Sequence, residues 1–255
     1  MASNTGSRPK GESSAIYIEP VRTETIALAL IGSTPLVFNR MSEKSKGDIL
    51  YPKPRKTSAE KQASLKHDVM QEFTASPYTL PDGDALLAVM ATAIKGAMRT
   101  AALDLPGASK AQIGRLVYVR GDYVPVYGIP KLFMSVVRQA GMTRAPDIRT
   151  RAIVPVWAAL AQITYVVPML NPTTIANLLA AAGITVGIGD FRQEKGAGNY
   201  GLFSVTNAED PAFVALRQSG GRDAQVAAMQ NPAFYDEDSE RLFTWYEAER
   251  TRRGK

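Results

Sequence analysis

The chain has no cysteine and a single histidine, His67. The missing thiols exclude disulfides, thiolate metal centres and cysteine nucleophiles. A lone imidazole excludes His-rich zinc sites, and any Ser-His-Asp triad would have to run through His67. An unbroken membrane span is also missing. The longest apolar stretch, residues 152–170, is interrupted by Pro155 and Pro168 and carries Gln162 and Thr164. No belt of aromatic and basic residues frames it, so no membrane partner is expected. Residues 1–15 are small, polar and basic, without the apolar centre of a signal peptide. They read as a disordered arm on a cytoplasmic protein.

Hydrophobic residues make up 45% of the 255, enough for a core that needs no staples. The net charge is +6, and it is concentrated. Residues 95–151 hold ten cations (Lys95, Arg99, Lys110, Arg115, Arg120, Lys131, Arg138, Arg144, Arg149 and Arg151) against three acids. A second basic cluster, Arg40, Lys44, Lys46, Lys53, Arg55 and Lys56, is offset by Glu43 and Asp48. Basic loops interleaved with Tyr51, Tyr118, Tyr123 and Tyr127 have the composition of a groove that tracks phosphates.

Residues 25–31 read as a strand that stops at Gly32-Ser33-Thr34-Pro35, with Leu36-Val37-Phe38 after it. Thr57-Ser58-Ala59-Glu60 has the form of a capping box and predicts a helix from there to Phe73, with His67 on it. After the turn Pro81-Asp82-Gly83-Asp84, the residues Leu86, Leu87, Met90, Ile94, Ala97, Met98 and Ala101 recur at helical spacing. Lys95 and Arg99 share one face of that helix. Residues 115–127 alternate around Gly121-Asp122 and predict a hairpin. Residues 136–151 read as irregular, and residues 152–167 as one central strand, apolar on both faces. Asn171-Pro172 opens a helix that Gly183 is expected to stop. A glycine-rich loop, residues 187–201, precedes a last short strand and a helical tail. The tail ends in an amphipathic helix over residues 236–253, whose acids Asp236, Glu237, Asp238 and Glu240 suit a helix start. They lack the spacing of a calcium loop, and no metal or cofactor is expected.

Stripped of insertions, the order is β-α-β-β-α-β. This is an α+β, ferredoxin-like plan, shared with the RNA-recognition motif. The core is expected over residues 16–206, with insertions at about 40–80 and 121–150 and a helical extension over residues 207–255. In the glycine-rich loop, Gly187, Gly189, Gly196, Gly198 and Gly201 would let backbone amides approach an anion, with Arg192 and Lys195 adding charge. Residues 196–201 fit G-x-G-x-x-G, but a strand follows them, which excludes a dinucleotide site.

Three segments in order, Gly32-Ser33-Thr34-Pro35-Leu36, Ile94-Lys95-Gly96-Ala97-Met98-Arg99 and the loop at 187–201, resemble signatures of the RAMP superfamily, the repeat-associated proteins of CRISPR ribonucleoproteins. Within that family, one ferredoxin-like core with two insertions is most similar to the backbone subunit that polymerises along a guide RNA. The resemblance implies that residues 121–151 form a thumb-like hairpin and that RNA is gripped through its phosphates, beside copies of the same chain and other effector subunits. The contact residues expected are Arg40, Lys44, Lys46, Lys95, Arg99, Arg144, Arg149, Arg151, Arg192 and Lys195, with the loop glycines Gly187, Gly189, Gly196 and Gly198. Single-stranded DNA, handled by a phage or mobile-element protein on the same fold, remains an alternative ligand. A metal-independent endoribonuclease is another alternative. His67 would then be its acid or base, and the resemblance adds Asp48 as an RNA-cleaving candidate.

Overall fold

The computed structural model describes residues 20–51, 57, 65–138, 145–195 and 198–254. The chain is an α+β protein built on antiparallel sheets. The central strand is β1 (Arg22–Gly32). One edge of β1 pairs with β10 (Phe203–Thr206) and the other with β9 (Ala158–Val167), both antiparallel. The far edge of β9 takes two short strands, β5 (Val117–Val119) and β6 (Tyr123–Tyr127). Beyond β6 lie β4 (Leu87–Met90) and β3 (Tyr78–Thr79).

Helices α3 (Ala91–Ala101) and α5 (Pro172–Thr185) pack against each other. Their buried stripes, Ile94 and Met98 on α3 and Ile175, Leu178 and Leu179 on α5, join Leu28, Leu30, Ala159, Ala161 and Ile163 of the sheet in one core. Among the described residues, the opposite sheet face is covered at one end. There Phe213, on α6 (Pro211–Ser219), meets Ala29, Tyr127 and Ala158. The rest of that face shows exposed Thr25, Ala27, Tyr118 and Gln162.

A second sheet stands between β6 and β9 in the chain. Strands β7 (Lys131–Arg138) and β8 (Pro146–Val154) form a long antiparallel hairpin, and β2 (Leu36–Val37) pairs with the end of β8. Helix α2 (Val69–Ala75) packs on β8, and α8 (Glu237–Arg252) on β7. Helices α1 (Glu43–Leu50), α4 (Lys110–Leu116) and α7 (Arg222–Gln230) complete the eight among the described residues.

Several expectations change. Residues 58–64 of the expected helix over 57–73 lie outside the described residues; the described helix starts at Val69, because Asp68 caps it by accepting from the Gln71 amide at 3.0 Å. His67 is therefore on the loop before a helix. Leu87 and Met90 belong to a strand, and the helix begins only at Ala91. Leu87–Val89 are buried on both faces, which erases the alternation that would separate a strand from a helix. Residues 115–127 are no hairpin. Gly121 does turn, at φ 77°, but β5 and β6 lie one after the other along the same edge of β9. Residues 136–151 are regular strand at both ends, and the apolar run over 152–167 is two strands of two sheets, separated at Pro155. Gly183 is inside α5, where an added Cβ would come within 2.1 Å of the Phe203 carbonyl oxygen. The left-handed residue after the helix is Gly187, at φ 73°. The Asn171 cap and Pro172 at the first turn stand as read, with Asn171 accepting from the Thr174 amide at 2.8 Å.

Candidate nucleic-acid interface

Two of the quoted sequence signatures meet in space. Trp157 is fully buried, and its indole lies over Gly32, where a Cβ would sit 2.2 Å from Nε1. That nitrogen donates to the Thr34 carbonyl at 2.8 Å. The turn at 32–36 then receives the glycine-rich loop: the Gly201 amide donates to the Pro35 carbonyl, and the Asp190 amide to the Val37 carbonyl.

This contact decides what the loop can do. Amides of Gly187, Ile188, Asp190, Tyr200 and Gly201 all donate to backbone carbonyls, so they are not available to an anion. Gly187, Gly189 and Gly198 are there because backbone passes too close for a Cβ: Gly201, Val37 and Phe191 respectively crowd the position. The expected anion cradle is thus a packed loop. Arg192 pairs with Glu194 at 2.9 Å. Gly196 and the Lys195 side chain lie outside the described residues, as do Arg144 and the Lys44 side chain.

Arg151 is also reassigned. It is 4% exposed, with Nη1 at 3.1 Å from Asp190 Oδ2 and its guanidinium 4.9 Å from the Phe191 ring centroid. Burial lowers its pKa while Asp190 opposes that shift. It ties β8 to the glycine-rich loop from the floor of an open cleft. Arg99 lies against Gly114 of α4, with Nε 3.0 Å from where a Cβ would be. Lys46 donates to Glu43 at 2.7 Å, and that bond, first of its causes, lowers the Glu43 pKa.

The remaining candidates converge. Arg40, Asp48, His67, Arg149 and Arg151 line one open cleft of about 440 Å³, along β8 of the β7–β8 hairpin. The chain enters it from β2. The Arg40 amide donates to the Ser76 carbonyl, and Ser76 Oγ in turn accepts from the Ala152 amide at 2.7 Å. Ser42 then caps α1, so Asp48 stands on the helix that forms one wall. Arg40 lies 3.4 Å from Glu43, and Arg149 is exposed on β8.

His67 is held between two carboxylates. Its Nδ1 is 2.7 Å from Glu72 Oε1 and its Nε2 3.1 Å from Asp147 Oδ1; Lys66 also pairs with Asp147. Both ring nitrogens must donate, which requires the imidazolium. The bond to Glu72 raises the His67 pKa above 6.5, against partial burial and with help from the charges of Glu72 and Asp147. The arrangement fastens the loop before α2 to the start of β8. Lys95 is elsewhere, in a separate depression of about 370 Å³ beside the start of α3, with Thr92, Tyr118, Asp122 and Tyr123.

Among the described residues, no group of three or more carboxylate or imidazole side chains is placed to hold a metal ion, and no helix is long and apolar enough to cross a membrane. A scan against protein-family models finds no match for the chain, and a search of curated proteins finds no relative.

Proposed function

We propose that the protein binds single-stranded nucleic acid, RNA in the first instance, by gripping its phosphate backbone, and that copies of the chain assemble along the strand. The observation that carries this reading is the convergence of Arg40 and Arg149, remote in sequence, on one open cleft beside the hairpin. Guanidinium groups suit phosphate oxygens because they donate in a planar fork. A ferredoxin-like reading of the fold supports the proposal. The order β10-β1-β9-β6, all antiparallel, with α3 and α5 packed on one face, is that of a β-α-β-β-α-β core if β5 and β6 count as one strand. The β7–β8 hairpin then stands where the family resemblance puts a thumb.

The reading is non-catalytic. Each ring nitrogen of His67 already faces a carboxylate, which supports a fastening role over that of an acid or base.

The test is fluorescence anisotropy with matched single-stranded RNA, single-stranded DNA and duplex DNA. Salt-sensitive binding to RNA over duplex is expected, and Arg40→Ala with Arg149→Ala should weaken it without changing sequence preference. A preference for single-stranded DNA would move the assignment to a DNA-binding protein. Absence of binding to all three would refute the proposal.

A further inference from the structure

The cleft and the depression are joined by a row of side chains that the cationic map alone does not reveal. The Arg40 guanidinium lies 5.7 Å from the centroid of the Tyr78 ring. Tyr78 in turn meets Tyr123 at a centroid distance of 5.4 Å, the rings inclined at 38°. Tyr123 and Tyr118 line the depression that also holds Lys95. The row runs Arg40, Tyr78, Tyr123, Tyr118, Lys95, with a cation at each end and tyrosines between.

These rings are not core. Tyr118 is 51% exposed and Tyr123 42% exposed. Each is forced outward by its strand. Val117 and Val119 flank Tyr118 and are buried, and Val124 follows Tyr123 inward, so strand alternation turns both rings to solvent. Tyr78 gains its neighbour because β3 and β6 flank β4, which pairs Tyr78 with Ala88 and Met90 with Tyr123. Three of the ten tyrosines thus stand in one row, two of them exposed and Tyr78 half-buried. Asp122 is the one acid lining the depression among the described residues.

We infer that this row is a stacking platform for unpaired nucleobases, so that the bound strand is held by its bases here as well as by its phosphates. The inference rests on the backbone-gripping reading above and adds a second kind of contact to it. Three features favour a strand with splayed bases as the occupant. The flanking cations match a polyanion on both sides. Aromatic faces accept any base, because every base has a π-face. The polar side chains beside the rings are few, Thr92, Lys95 and Asp122 in the depression, which leaves stacking as the main contact to a base, with little sequence choice.

The experiment compares two probes of equal length and charge, oligoadenylate RNA and an abasic phosphodiester oligomer, by anisotropy against wild type, Tyr118→Ala and Tyr118→Phe. Tyr118 is chosen because its ring is outside the core, and thermal melting checks that each variant is folded. Wild type should bind oligoadenylate roughly 5- to 150-fold more tightly than the abasic oligomer, the range expected for one stacked base. Tyr118→Ala should reduce that ratio severalfold, and Tyr118→Phe should retain it, since the phenyl face still stacks. Equal affinity of wild type for both probes overturns the platform while leaving the phosphate grip intact. So does a Tyr118→Ala ratio equal to that of wild type. Binding of neither probe overturns the backbone-gripping reading itself, and the platform with it.

Discussion

At the scale of single residues, charge alone does not reveal that Arg151 is buried. Arg151 counts as a surface cation in the sequence, yet its partners Asp190 and Phe191 come from a remote loop and leave it 4% exposed. Arg151→Ala should therefore act on stability and not on binding. Removing one half of a mostly buried pair predicts a loss of about 2–4 kcal/mol, read by urea unfolding, with an unchanged salt dependence of RNA affinity. His67 makes a different prediction. Its folded pKa is raised above the unfolded 6.5, so its contribution is complete below about pH 6.5 and fades as pH rises through the folded value. The stability difference between wild type and His67→Gln should shrink from about pH 6 to about pH 9. Because His67 is the only histidine, one imidazole resonance in a pH titration reports it directly. A midpoint at or below about 6.5, the ordinary value for an imidazole, would contradict the two-carboxylate clamp.

At the scale of elements, the local punctuation was legible and the long-range pairing was not. Asn171-Pro172 and Asp236 cap their helices as their residue types require, since a cap is settled within one turn of chain. The strand at Leu87–Met90 was hidden because burial on both faces removes the period-two signal. Residues 115–127 alternate as a hairpin would, but the partner that satisfies both halves is β9, and no local feature announces that. Of the candidate site, Arg40 and Arg149 could be named from charge. Their convergence could not, and Tyr78 carried no signal apart from being aromatic.

Gln225 is the clearest residue of this hidden kind. It is fully buried on α7, accepts from the Leu86 and Leu87 amides at 2.7 and 3.0 Å, and donates toward the carbonyls of Val126, Gly128 and Gly220. It fastens the C-terminal helices to the start of β4 and the end of β6. Gln225→Leu should cost about 2–4 kcal/mol in chemical denaturation, because it strands buried amides and carbonyls without partners. Gly183→Ala should also destabilise, by about 1–3 kcal/mol, by pushing α5 off Phe203.

At the scale of the whole molecule, the excess of +6 is distributed unevenly. Many cations of the exposed helices are spent on neighbouring acids, as Arg250 and Arg252 are on Glu247 and Glu249. Arg149, and Arg40 beside its partner Glu43, open onto the cleft between the α2 region and the hairpin. If the strand runs there, its counterions must leave when those guanidiniums arrive. The most direct measurement is the slope of log affinity for single-stranded RNA against log salt concentration, for wild type and for Arg40→Ala with Arg149→Ala. Each phosphate contact on a single strand contributes about 0.7 to that slope, so the double variant should lose roughly 1.4 from the wild-type value. An affinity that does not respond to salt, or a double variant whose slope equals that of wild type, would contradict the phosphate-gripping cleft.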